Sequence, residues 1–159
     1  MKKVCLLIAL SCFLLLNACG TSELPPDNNE RNDLSLADLQ AQAATTEEMP
    51  DGYEDVFATY NDIIMSDFDT SKGYVYCGYE AIGNTIWYYF KYDGAKDRYT
   101  SEADISDLEN YLNSFCGANY DLFKKNLAFN FCTVLLDDQD ENNVLFASKN
   151  GITVYSAKQ

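Results

Sequence analysis

The 159-residue chain contains no histidine. This removes the side chain that most often serves as base beside a Ser or Cys nucleophile and as metal ligand. Catalytic triads and most zinc sites are therefore excluded. Cysteine occurs six times but never as C-x-x-C, so neither a thioredoxin-type redox motif nor a thiolate metal site is indicated. Glycine is sparse, and GYVYCG at 73–78 lacks the spacing and following helix of a phosphate loop. Bases are few, 11 Lys and Arg against 25 Asp and Glu for a net charge of −14, and a body of that charge repels nucleic acid and anionic lipid surfaces. With so many acids, a pair of carboxylates suited to glycoside hydrolysis carries almost no signal. Two acidic loops start like calcium sites: Asp67, Asp69 and Ser71 in DFDTSKG, and Asp138, Asp140 and Asn142 in DDQDENN. Both lack the sixth-position Gly and the closing Glu that an EF-hand loop needs. No metal, no cofactor and no enzymatic activity are expected.

The N-terminus is the most informative stretch. Lys2 and Lys3 precede an apolar run from Val4 to Leu16 broken only by Ser11, long enough for a secretory signal and too short to span a bilayer. Leu16-Asn17-Ala18-Cys19 comes next, with an aliphatic residue three before the Cys and a small residue just before it. This pattern resembles the lipobox of bacterial lipoprotein precursors. The resemblance covers these residues alone and implies cleavage after Ala18, acylation of Cys19 by palmitate-type chains, and a membrane anchor. Two or three such chains hold essentially permanently, whereas one does not. Gly20 stands where an Asp would, in that family, favour inner-membrane retention. The implied address is the cell envelope: the outer membrane where the cell has one, otherwise the outer face of the plasma membrane. The alternative is an ordinary secretory signal in which Cys19 is incidental.

Removal of residues 1–18 leaves 9 bases against 25 acids, a net of −16. A basic protein is the natural partner of such a body, although the acidity also serves simply to keep an anchored domain off the membrane surface. Cys77, Cys116 and Cys132 remain beyond the anchor. In an oxidising envelope one disulfide and one free thiol are expected, with three pairings open. Cys116 with Cys132 is favoured, closing a loop of about 15 residues that would add about 3 kcal/mol.

The chain divides into three parts: a signal peptide at 1–18, the lipidated Cys and a flexible tether at 19–50, and a single α+β domain at 51–159. The tether is polar, with two Pro and no aromatic residue up to Met49, so it cannot offset its ordering entropy; LADLQAQA within it supports at most a helical turn or two. As a flexible chain it would span about 30 Å. Tyr53, Val56, Phe57, Tyr60, Ile63 and Ile64 recur at helical spacing after Asp51 and Glu54, predicting a helix over 52–65. A second helix is expected after Ser101, with Ile105, Leu108, Leu112 and Phe115 on one face and Gly117 at its end. A short helical piece, YDLFKKN, then leads into the strand LAFNFCTVLLD.

Two hairpins are predicted, one turning at Gly83-Asn84 and the other at Asn150-Gly151. Together with the strand before the second hairpin they imply an antiparallel sheet of about five strands packed against two main helices. In element order alone this is similar to NTF2-like and cystatin-like folds. Pairing Ile82 with Thr85 puts Ala81/Ile86, Tyr79/Tyr88, Cys77/Phe90 and Val75/Tyr92 on a core face. Glu80/Trp87, Gly78/Tyr89 and Tyr76/Lys91 fall on the other.

That second face carries the candidate binding residues Tyr76, Trp87 and Tyr89, with Glu80 and Lys91 beside them, because Tyr and Trp give large contact area at low entropic cost. Two readings of it stand. Either it is a binding surface, for a protein partner or for the sugar rings of a glycan, or it is covered by other strands or a helix and belongs to the core. The implied function is that of a lipid-anchored, non-enzymatic binding protein of the cell envelope. It would capture or inhibit a protein partner by occlusion, as immunity and inhibitor lipoproteins do, with Glu102, Asp104, Asp107 and Glu109 steering a cationic partner. The alternative is an accessory structural subunit of an envelope or secretion complex.

Overall fold

The computed structural model describes residues 33–43, 47–66, 68, 70–101, 103–124 and 129–158. The signal segment, Cys19 and residues 20–32 lie outside the described residues, as do Asp67, Asp69 and Glu102. Six strands form one sheet: β1 (Leu34–Ser35), β2 (Tyr74–Ile82), β3 (Thr85–Tyr92), β4 (Asn130–Leu136), β5 (Asn143–Lys149) and β6 (Ile152–Ser156). Among the described residues four α-helices accompany them: α1 (Leu36–Ala43), α2 (Tyr53–Ser66), α3 (Ala95–Thr100) and α4 (Ser106–Phe123). β2, β3, β4 and β5 lie side by side in that order. β1 and β6 share the far edge of β5, β1 on its first residues and β6 on its last.

The class is α+β, but the expected all-antiparallel sheet of two hairpins plus one strand is corrected to a mixed sheet. β3 and β4 run parallel, from Thr85 opposite Asn130 to Phe90 opposite Leu135. The helices between them are the cause. α4 has 18 residues and so is about 27 Å long. It carries the chain back along the sheet, and β4 starts beside the residue where β3 started.

Central strands buried on both faces read as unbroken apolar runs. Thr85–Phe90, Phe131–Leu136 and Val144–Ser148 are all buried. One face packs on α2 and α4. There Ile86, Tyr88 and Phe90 of β3 and Phe131 and Leu135 of β4 meet Phe57 and Ile64 of α2 and Leu112, Cys116 and Phe123 of α4. The rings interlock, Phe68 on Phe90 at 4.4 Å and Tyr88 on Phe131 at 4.9 Å between centroids. The opposite face carries Trp87, Tyr89, Cys132, Val134, Leu136, Val144 and Ala147 beneath Leu39 of α1.

α2 lies within a residue of its predicted bounds, and both hairpins turn where expected. The second expected helix is corrected at both ends. It starts at Ser106, where Asp104 Oδ1 accepts the Ser106 amide at 3.0 Å, so Ser101 does not cap it. It runs through Gly117 and absorbs the expected short helical piece as far as Phe123. At one end of the sheet three side-chain amides link the hairpin turns to the start of β4. Asn150 Nδ2 donates to Asn130 Oδ1, and Asn130 Nδ2 donates to Asn84 Oδ1, each at 2.9 Å.

Candidate functional site

The first hairpin keeps the predicted register from Ile82 opposite Thr85 to Gly78 opposite Tyr89. A bulge then intervenes at Cys77, so that Tyr76 stands opposite Phe90 and Val75 opposite Lys91. Gly78, at φ 129°, provides the backbone conformation beside it. One extra residue inverts the faces beyond it. Tyr76, expected beside Trp87, lies instead on the helix face, its ring 5.6 Å from that of Tyr88 and 5.8 Å from that of Phe90. Cys77 and Val75, expected in the core, are exposed.

Glu80, Trp87, Tyr89 and Lys91 do share the other face, but it is not open. Trp87 is 0% exposed and Tyr89 9%. Of the two readings of this face, the structure shows the covered one, and the cover comes from a segment expected to be tether. Leu34 and Ser35 pair with Val144 and Asn143 of β5, and α1 then crosses the aromatic face, burying Leu39. Ser35 caps its start: the Asp38 amide donates to Ser35 Oγ at 3.1 Å, and Ser35 Oγ donates to Asp38 Oδ2 at 2.6 Å. That S-x-x-D spacing at 35–38 was the legible signal for this helix. Gln40 Nε2 donates to Tyr89 Oη at 2.9 Å and to Glu80 Oε1 at 2.6 Å, and the Tyr89 hydroxyl donates to Glu80. Burial, with Glu80 accepting its proton, pushes the Tyr89 phenol up. Lys91 pairs with Glu141, whose carboxylate raises the lysine above its ordinary value.

The expected Cys116–Cys132 disulfide is not present; Cys77, Cys116 and Cys132 are all free thiols. The sheet separates the favoured pair. Cys116 lies on the helix face, donating to the carbonyls of Phe131 and Ser148 at 3.3 Å. Cys132 alternates with Phe131 and Thr133 and therefore points to the α1 face. Burial pushes its thiol well up.

Of the acids expected to steer a partner, Asp107 pairs with Arg98 at 2.8 Å, and Glu109 accepts from the Tyr99 and Ser156 hydroxyls. Asp104 is occupied at the start of α4. The acidic loop after β4 is built into the fold as well. Asp137, fully buried, accepts from Lys96 Nζ at 2.6 Å, the Gln139 amide at 2.8 Å and Asn143 Nδ2 at 3.1 Å. Burial alone would raise its carboxyl, but these donors outweigh burial and hold it below the usual carboxylate range. Among the described residues no group of three or more His, Cys, Asp or Glu converges to hold a metal ion, and no helix is long and apolar enough to cross a membrane.

Sequence reasoning missed an open apolar surface between α2 and α4. A groove of about 430 Å³ runs there, with Ile63 and Ile64 of α2 on one wall and Tyr111, Ser114, Phe115, Ala118 and Leu122 of α4 on the other. Ile63 is 51% exposed and Leu122 48%. The helical periodicity placed Ile63, Ile64 and Phe115 on helices, but only the packing of the two helices shows which residues the sheet leaves uncovered. No known protein family, curated protein or solved structure matches the chain.

Proposed function

We propose that the protein is a lipid-anchored envelope lipoprotein, acylated at Cys19, whose folded body captures a basic protein partner without catalysis. The observation that carries the binding reading is the groove between α2 and α4. It combines exposed apolar walls at Ile63 and Leu122 with an α2 that carries Glu54, Asp55 and Asp62 and no Lys or Arg; on α4, Asp107 and Asp121 are already ion-paired with Arg98 and Lys124. An amphipathic helix with an apolar stripe and basic flanks is the complement of such a groove. Acid-to-base attraction speeds the encounter and weakens as salt screens it, while the apolar walls supply the contact that persists. Occlusion of the partner is then the mechanism, in keeping with an inhibitor role at the envelope. The acyl chains are joined to β1 by residues 20–33, no more than about 50 Å of extended chain. Capture would therefore take place close to the membrane.

Two measurements test this reading. Labelled palmitate is expected to enter the wild-type chain and not a Cys19→Ala variant; label retained by the variant would remove the anchor. The mature chain is expected to capture a basic protein from envelope extract, and capture is expected to fail with Ile63→Asp plus Leu122→Asp at unchanged far-UV circular dichroism. Equal capture by that folded variant would remove the groove as the site.

A further inference from the structure

A second cleft, of about 360 Å³, lies between α1 and the sheet, at the lower end of the range for small-molecule sites. Its origin is a row of three residues across the central strands. Trp87 stands opposite Cys132, and Cys132 opposite Lys149. With about 4.8 Å between strands, the small Cys132 side chain sits between two long ones and leaves the space above it empty. Leu34, Leu39 and Val154 complete apolar walls around the row.

The polar chemistry of this cleft runs against that of the whole chain. In a sequence with 25 acids and 11 bases, the one charged residue lining it among the described residues is a lysine, and none of those residues is an acid. Among the described residues Lys149 forms no ion pair, and its ammonium donates to the Ala43 carbonyl at 3.5 Å. At the other end of the row the indole N–H of Trp87 is buried with no acceptor among the described residues. A buried donor left unmade costs about 1–3 kcal/mol, a cost that a Phe at this position would not incur. The cover over Trp87 comes from α1, eight residues long, with Leu39 buried and Leu36 and Ala43 partly buried against the same cluster.

We propose that the row is a binding site for a small amphipathic carboxylate. The carboxylate is held by the Lys149 ammonium and the Trp87 indole N–H, and its apolar tail lies along Leu34, Leu39 and Val154. This site is independent of the groove between α2 and α4.

Trp87 is the only tryptophan, so its fluorescence reports the site directly. The test uses the mature chain with Cys19→Ser, which needs no detergent, titrated with decanoate below its micelle concentration and, in parallel, with neutral decanol. Decanoate is expected to change Trp87 emission saturably and to bind about tenfold or more tighter than decanol, the scale of one charge-assisted hydrogen bond. Lys149→Gln is expected to bring decanoate down to the affinity of decanol while leaving decanol unchanged. Cys132→Leu, which fills the space above the row, is expected to weaken both. No saturable response to decanoate, equal binding of the acid and the alcohol, or undiminished decanoate binding by a folded Lys149→Gln variant would each overturn the proposal. If Lys149→Gln alters the far-UV circular dichroism, the ratio of decanoate to decanol on the natural side chain decides.

Discussion

Gly117, in the middle of α4, and Gly151, in the turn between β5 and β6, are in direct backbone contact. A Cβ on Gly151 would stand 2.8 Å from Gly117 Cα, and one on Gly117 would stand 3.3 Å from Gly151 Cα. The Gly151 amide also donates to Cys116 Sγ at 3.4 Å. Two turn signals of the sequence, a Gly near a helix end and an Asn-Gly pair, are thus used together as one close approach of helix to hairpin.

The two glycines are not equally replaceable. Gly151→Ala meets backbone at a distance that real Cβ atoms do not show, and it forces a side chain onto φ 82°. Overpacking at about 1–3 kcal/mol and a left-handed backbone at about 1–2 kcal/mol add to an expected loss of at least about 2 kcal/mol. Gly117→Ala meets a milder contact and gains about 1 kcal/mol of helix propensity. Its stability is expected within about 1 kcal/mol of wild type. Urea denaturation of the two variants checks the order.

Asp137 predicts the acid limb of stability. Its folded carboxyl titrates below the ordinary value, so its contribution is complete above the unfolded pKa near 4 and is lost as pH falls through the folded one. Asp137→Asn is expected to cost about 2 kcal/mol at pH 7, the scale of a charged hydrogen bond. It is also expected to flatten the decline in stability below about pH 4. Equal pH dependence of wild type and variant would show that the Lys96–Asp137 pair contributes nothing to it.

At the alkaline end the sign reverses. Burial pushes the phenols of Tyr74, Tyr88, Tyr89 and Tyr99 well above 10. The unfolded chain therefore releases these protons first, and stability falls as pH rises past about 10. Tyrosinate absorbance is expected to appear in two stages, exposed phenols first and the buried ones together with the loss of circular dichroism.

Thiol counting tests the correction of the disulfide. Of Cys77, Cys116 and Cys132, only Cys77 is exposed, and burial of its sulfur pushes its thiol up as well. In the mature chain carrying Cys19→Ser, one slow-reacting thiol is expected in the native state and three in urea, with an unfolding midpoint insensitive to reductant. A midpoint that drops on reduction would restore a bridge.

The first candidate face shows how far a linear reading reaches. Alternation from the Gly83-Asn84 turn assigned Glu80, Trp87 and Tyr89 to one face correctly, because a two-residue turn sets the register of the two strands it joins. It failed at Tyr76, where a single bulged residue reversed the alternation, and nothing in YVYCGY except the glycine marks that bulge.

Local chemistry written along the chain determined the α+β class, α2, both hairpin turns, and the alternation near the first turn, since these depend on neighbours within about four residues. The expectation of an anchor at Cys19 likewise rests on the sequence alone. Tertiary structure decided what depends on residues far apart. The return of α4 makes β3 and β4 parallel, and the thickness of the sheet keeps Cys116 from Cys132. The strap at 34–43 buries Trp87 because that face, once assembled, offers more apolar surface than solvent favours. Polar composition had marked 34–43 as tether, but a segment with Leu34, Leu36 and Leu39 along it needs only a formed apolar face to dock on, and no local pattern announces such a face.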